Sequence, residues 1–283
     1  MKIPEATYEY YSSLPRSPTR DYSVYITHPL DDILIDSVVE EILDITRQEG
    51  YDEYETVSFV IAFVQSLTYT SDFAGTGYDE YPRYPVETLV DDGGDCEDTS
   101  ILAASLIDAL GYGVVLLIFP ETSGAEGHCA VGVAGGEGIY GTSWEYEGRK
   151  YYYLETTGEG WEIGDIPEEY RHASAYIYPL IPIPILTHNW TSKPDGNLLK
   201  LEVVIENLGS AVADGVYVYA GFDAGDNKAW NSENSPLFSV GINKSVTATL
   251  YLKPPYDKHT RVVVKIVYNG YSVDESYSEW FDL

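Results

Sequence analysis

Cys96 heads the run Gly94-Asp95-Cys96-Glu97-Asp98, directly before an apolar stretch with helical spacing. A free thiol near its ordinary pKa of about 8.5 is only about 3% thiolate at pH 7. The first turn of a helix offers unpaired N–H groups and the positive end of the dipole, and both favour the anion. The dipole contributes about 0.3–1 kcal/mol, less than one pKa unit. Against it stand Asp91, Asp92, Asp95, Glu97 and Asp98. A cationic partner is therefore required, and an imidazolium is the usual one. His128 opens the apolar run His128-Cys-Ala-Val-Gly-Val133, which reads as a strand packed on that helix. A hydrogen-bonded sheet histidine is the plainer reading of it. His28, His172, His188 and His259 are alternatives, with His172 nearest the expected sheet. Because strand neighbours alternate faces, Cys129 is expected to point away from His128 and to be a core thiol.

An imidazole in such a pair needs a third group to fix its orientation and tautomer. Glu155 ends the run Tyr151-Tyr-Tyr-Leu154 and is followed by two threonines, so it can lie against the other ring nitrogen if the two strands pair. Cys96, His128 and Glu155 are then spaced by 32 and 27 residues, each one element plus a loop. Gln65 is a candidate oxyanion donor from a neighbouring helix; an exposed helical glutamine is the competing reading. The backbone N–H of Cys96 is the other donor. Trp144 and Trp161 are candidates for the walls of a cleft, or for plain loop anchors. The acidic cluster around Cys96 lacks EF-hand spacing and reads as a solvated face, and two cysteines with one nearby histidine do not make a zinc site. No metal and no cofactor is expected.

The elements that must position these groups follow from periodicity. Residues 1–30 read as irregular, with Pro15 and Pro18 breaking any helix. Helices are expected from Asp32 to Gly50 and over Tyr54–Leu67, a loop over Thr70–Tyr84, and a long helix from Cys96 closed by Gly111. Strands follow at Val114–Phe119, Cys129–Val133, Tyr151–Leu154 and Ala175–Tyr178. Helices first and strands second predict an α+β domain over 31–180, an antiparallel sheet on one central helix. Residues 181–196, with Pro182 and Pro184, read as a stiff linker. Residues 197–283 alternate in six or seven short strands and read as an all-β sandwich of immunoglobulin type.

The Gly94–Asp98 run, the Gly127-His128 strand opening and Leu154-Glu-Thr-Thr157 resemble the transglutaminase-like superfamily of cysteine enzymes, most nearly its archaeal and bacterial cysteine-peptidase-like members. Phe63–Tyr69 and Pro85–Leu89 share in the likeness, which covers roughly residues 30–180. It implies a papain-like core and a catalytic triad of Cys96, His128 and Glu155. That family more often carries Asp followed by Pro or Ala where this chain has Glu155-Thr-Thr. The C-terminal strands are similar to cell-adhesion-related immunoglobulin-like domains of microbial surface proteins. The superfamily holds peptidases, amidases, transglutaminases and inactive members, so the fold does not choose the reaction.

Composition bounds the partners. The 283 residues carry 16 Lys+Arg against 46 Asp+Glu, a net charge of −30, which repels nucleic acid and anionic membrane surfaces. No run of 18 apolar residues is present and the N-terminus does not read as a signal peptide; the compartment is left open. The expectation is a thiol-dependent hydrolase of peptide or isopeptide amide bonds acting through a thioester. Amine transfer of the transglutaminase kind, and an inert adhesion module, are the alternatives. Its partners are a peptide or protein substrate and, through the sandwich, a protein or surface.

Overall fold

The helices lead and the strands follow. The computed structural model describes residues 3–29, 32–78, 80–122, 124–136, 138–225 and 228–282. Within it the chain divides into two units, Met1–Pro182 and Ile183–Leu283. The last residue of the final expected strand, Leu283, lies outside the described residues, as does Asp79 of the expected loop.

In the first unit the helices are α1 (Glu5–Ser13), α2 (Ser23–Ile26), α3 (Asp32–Glu49), α4 (Glu53–Gln65), α5 (Asp72–Thr76), α6 (Pro85–Asp91) and α7 (Cys96–Ala109). A two-residue parallel pair joins β1 (Thr68–Tyr69) to β2 (Gly93–Gly94). The remaining strands are β3 (Val114–Phe119), β4 (His128–Ala134), β5 (Ser143–Tyr146), β6 (Arg149–Leu154) and β7 (Tyr176–Pro179). They form one antiparallel sheet in the order β5-β6-β4-β3-β7. The helix α7 is buried from Glu97 to Ile107 and packs on the central strands β3 and β4. Those strands are near-continuously apolar because both faces are covered. The unit is thus α+β, with its sheet on one central helix.

Two expectations for this unit are corrected. Of residues 1–30, the described ones, 3–29, are not irregular: Pro15 and Pro18 fall in the extended connector between α1 and α2, where they interrupt no helix. Tyr11 and Tyr25 from this region are fully buried, and their rings pack on Tyr84 of the α6 N-cap with centroids 4.7 and 4.9 Å away. The expected loop over 70–84 contains the short helix α5.

The second unit holds β8 (Leu186–Asp195), β9 (Leu198–Asn207), β10 (Ala213–Asp223), β11 (Ala229–Asn234), β12 (Phe238–Val240), β13 (Ser245–Leu252), β14 (His259–Tyr268), β15 (Tyr271–Tyr277) and β16 (Phe281–Asp282). One sheet is ordered β13-β9-β8 and the other β11-β10-β14-β15, with β12 on β10 and β16 on β14. Leu201, Val203 and Ile205 face Val218, Ala220 and Phe222 across a sandwich core. The expected linker over 181–196 is too long, because β8 begins at Leu186. Its Pro194 is tolerated because β8 is an edge strand, paired on one side to β9. A buried His188 links the sheets, its Nδ1 2.6 Å from Asp274 Oδ2 and its Nε2 2.7 Å from Ser276 Oγ.

Candidate active site

Two glycines set Cys96 in place. Gly93 and Gly94 run flat between β1 and the first turn of α7. A Cβ on Gly93 would stand 2.2 Å from the carbonyl oxygen of Thr68, and one on Gly94 would stand 2.4 Å from Cβ of Asp98. No other residue lets the backbone pass so closely. The chain then turns directly into α7, with Cys96 as its first residue and half-buried. Asp98 Oδ2 accepts from the backbone N–H of Asp95 at 3.3 Å and fixes this entry.

The strand β4 brings in His128, which pairs with Phe119 of β3. Its ring stacks on Tyr170, with centroids 4.7 Å apart and planes within 13°. Nε2 lies 3.0 Å from Glu155 Oε2 and 3.2 Å from the hydroxyl of Tyr153. A carboxylate only accepts, so Nε2 carries the proton and Nδ1 remains as the acceptor. Tyr153 and Glu155, two residues apart, share a face, and the tyrosine hydroxyl donates to Glu155 Oε2 at 2.7 Å. The other oxygen, Oε1, accepts from the backbone of Thr156 and Thr157 and from the Thr157 hydroxyl, at 3.0, 3.0 and 2.7 Å. Burial pushes the Glu155 carboxyl up, but His128 and these donors outweigh it and hold the group down to about 2. The two threonines therefore saturate one carboxylate oxygen and leave the other to be shared by His128 and Tyr153.

Cys96 and His128 open into one cavity of about 830 Å³, with Phe119, Pro120 and Tyr178 on the sheet side. In this resting arrangement Sγ donates to Glu97 Oε2 at 3.2 Å rather than to His128. Burial, then the charge of Glu97, pushes the Cys96 thiol well above its ordinary value. Cys129 is buried, as its place on the opposite face of β4 requires.

The acidic cluster is a solvated face only in part: Asp91 and Asp92 are exposed, whereas Asp95, Glu97 and Asp98 are buried, together with Asp72 of α5. Arg83 joins Asp98 and Asp72 as a buried counter-charge, with Asp72 Oδ1 3.4 Å from its Nη1. Desolvation, reinforced by the charge of Asp95, raises Glu97 to about 9, Asp98 to about 7 and Asp72 to about 6. Carboxylate oxygens of Asp72, Asp95 and Glu97 lie within 4.8 Å of one another, and Asp95 Oδ1 is buried without a partner. Such a donor set suits a hard, oxygen-seeking cation.

Other expectations are corrected by the geometry. Gln65 is buried, and its amide nitrogen donates to the carbonyls of Glu155 and Trp161 at 2.9 and 3.2 Å. Its oxygen accepts from the N–H of Gly160 at 3.2 Å. Both amide hydrogens are occupied, so it clamps the chain after β6 instead of serving an oxyanion. Trp144 packs on Phe119 and Tyr153 across the sheet, and neither it nor Trp161 lines the cavity. The helical wall comes instead from the connector at 16–22. His172 is exposed after the short 3-10 turn at Glu168–Tyr170, and His28 is buried against Tyr11. Sequence reasoning missed Tyr153, Tyr170, Arg83 and the connector. The two-residue step from Tyr153 to Glu155 was a usable signal; the other three carry none.

No protein-family model matches this chain, and no curated protein matches it. Solved structures that resemble it do so weakly. Calcium-bound LapG from Legionella pneumophila aligns at 16% identity and a TM-score of 0.32, over 57% of this chain and 86% of that one. The CARDB domain of a Pyrococcus furiosus protein, solved with di-metal ions, aligns at 17% identity and a TM-score of 0.25, over 34% and 87%. Beta-glucosidase 3B from Thermotoga neapolitana aligns at 13% identity and a TM-score of 0.24, over 40% and 18%. At these scores the function rests on the site alone.

Proposed function

We propose that this chain is a thiol-dependent hydrolase of peptide or isopeptide amide bonds with a transglutaminase-like, papain-like core. The observation that carries the reading is one cavity shared by Cys96 and a His128 ring whose far nitrogen is held by a carboxylate with five donors. Cys96 is the nucleophile, His128 moves the proton and Glu155 orients the ring. On substrate entry Sγ leaves Glu97 and gives its proton to Nδ1 of His128. The thiolate attacks the amide carbon, and the N–H groups at the start of α7 receive the oxyanion. The departing amine takes the proton from Nδ1, leaving a thioester that water cleaves. An amine in place of water would give cross-linking. The sandwich would serve a protein or surface partner.

A second reading, an inert binding module, is favoured by the Cys96–Glu97 hydrogen bond and the raised thiol. A peptide-library digest of wild type beside Cys96→Ala separates them, with cleavage expected only from wild type. Iodoacetamide at pH 6 gives an independent measure. A catalytic pair labels Cys96 rapidly and loses that rate in His128→Ala. Slow labelling that ignores His128 would leave the inert module.

A further inference from the structure

The wall of the cavity around Cys96 and His128 carries charges of both signs, Arg16 and Arg20 beside Glu80, Glu97 and Glu121. On the helical side runs the connector between α1 and α2, and on the sheet side the chain leaving β3. The connector is fixed at three places. Arg16 grips Glu87 through two bonds of 2.6 and 2.8 Å, the Ser17 N–H donates to the Tyr25 hydroxyl at 2.9 Å, and the Tyr22 hydroxyl donates to Glu80 at 2.5 Å. Between the last two anchors stands Arg20, exposed and in the cavity wall. Arg16 and Arg83 each hold a buried carboxylate, whereas Arg20, like the exposed Arg149, holds none among the described residues. Its chain neighbour Asp21 accepts from Ser23, and Glu80 of the cavity wall accepts from Tyr22. On the sheet side Glu121 is likewise exposed and without an ion-pair partner among the described residues. Just after it the Thr122 N–H donates to the carbonyl of Ala125 at 2.9 Å.

Arg20 is a positive charge in the cavity wall of a strongly acidic unit. The first unit carries 8 Lys+Arg and 34 Asp+Glu, a net charge of −26, so spare carboxylates surround it in the sequence. Short anchored segments also lose little entropy when they bind. We propose that Arg20 and Glu121 sort peptide substrates by charge, which rests on the hydrolase reading. The preferred peptide places a carboxylate toward the connector and a cation toward the sheet side, on the two flanks of the scissile bond. Net-acidic peptides are disfavoured at long range by the unit's field, which salt screens over about 8 Å at physiological ionic strength.

The test compares peptides with Asp, Ala or Lys at each flanking position, using the full chain, wild type, Arg20→Glu and Glu121→Lys. Both positions are exposed, so the fold tolerates the changes. Arg20→Glu is expected to raise KM for its acidic partner peptide about three- to tenfold and to lower KM for the Lys counterpart. Glu121→Lys does the reverse on the other flank, and the double reversal prefers peptides of inverted polarity. Equal KM values across all peptides and variants overturn the inference while leaving the hydrolase intact. A second measurement needs no turnover. Cys96 is modified with an anionic (sulfonatoethyl) and a cationic (trimethylammonioethyl) methanethiosulfonate, and the ratio of rates is followed by mass. Arg20→Glu should shift the ratio toward the cationic reagent by about threefold or more, and Glu121→Lys toward the anionic one. If wild type cleaves no peptide, the hydrolase reading falls and this ratio alone decides: a shift keeps the charge-sorting cavity, and no shift removes it.

Discussion

At the scale of single residues, Glu155 is the group on which most bonds converge. It holds the tautomer of His128, and it is buried, so neutral replacement leaves several donors short of an acceptor. Glu155→Gln is expected to slow Cys96 alkylation at pH 6 and to lower stability by about 1–3 kcal/mol, read by urea unfolding. The acids of the site also set a pH dependence with a definite sign. Glu155 is held below its ordinary 4.5, to about 2, so its contribution is full above about 4.5 and is lost as pH falls toward 2. Glu97, Asp98 and Asp72 behave oppositely, with values raised to about 9, about 7 and about 6. In that window the unfolded chain binds fewer protons than the folded one, so stability falls as pH rises from about 4 to 9. The urea midpoint should therefore decline from pH 5 to 9, and Glu97→Gln should flatten the decline. A midpoint that rises over this range would contradict the burial of the cluster.

At the scale of elements, the site depends on how α7 begins and where β6 ends. The close passage of Gly94 against Asp98 admits no side chain. Gly94→Ala must displace the first turn of α7, and a loss of about 1–3 kcal/mol or more is expected, with Cys96 labelling altered in the folded fraction. A variant as stable as wild type would mean that α7 starts elsewhere. Gln65 acts at the other end, holding the segment 155–161 by three hydrogen bonds from α4. That clamp explains how a carboxylate at the end of a strand is kept at 3.0 Å from an imidazole.

At the scale of the whole molecule, residues 1–28 belong to the unit that holds the site. Tyr11 and Tyr25 are fully buried, His28 bonds Tyr11 through Nδ1 at 3.1 Å, and the connector walls the cavity. Deletion of residues 1–28 is expected to unfold the first unit, whereas removal of an inhibitory tail would raise activity and leave the fold intact. Circular dichroism of the truncated chain distinguishes them. Residues 183–283 enclose their own core, so they should retain β-structure when expressed alone. No helix among the described residues is long and apolar enough to cross a membrane.

The order of elements was legible in the sequence because apolar periodicity is a local property. The helical spacing from Ile101 to Leu110 and the runs at 114–119 and 129–133 need only their neighbours to be read. Residue type and position at element ends also single out Cys96, His128 and Glu155 as candidates, of which the structure joins His128 to Glu155 by a hydrogen bond and sets Cys96 and His128 in one cavity wall. What only the tertiary structure decided lies in contacts between distant segments. The connector at 16–22 shares a cavity wall with Cys96 of α7 and Phe119 of β3, Arg83 pairs with Asp98 of a helix that begins 13 residues later, and Gln65 spends its amide 90 residues away on Glu155. An amide or a guanidinium looks the same in a sequence whether solvent or a buried carbonyl receives its protons. Burial and partners are fixed by packing, so the roles of these side chains emerged only when the chain was folded.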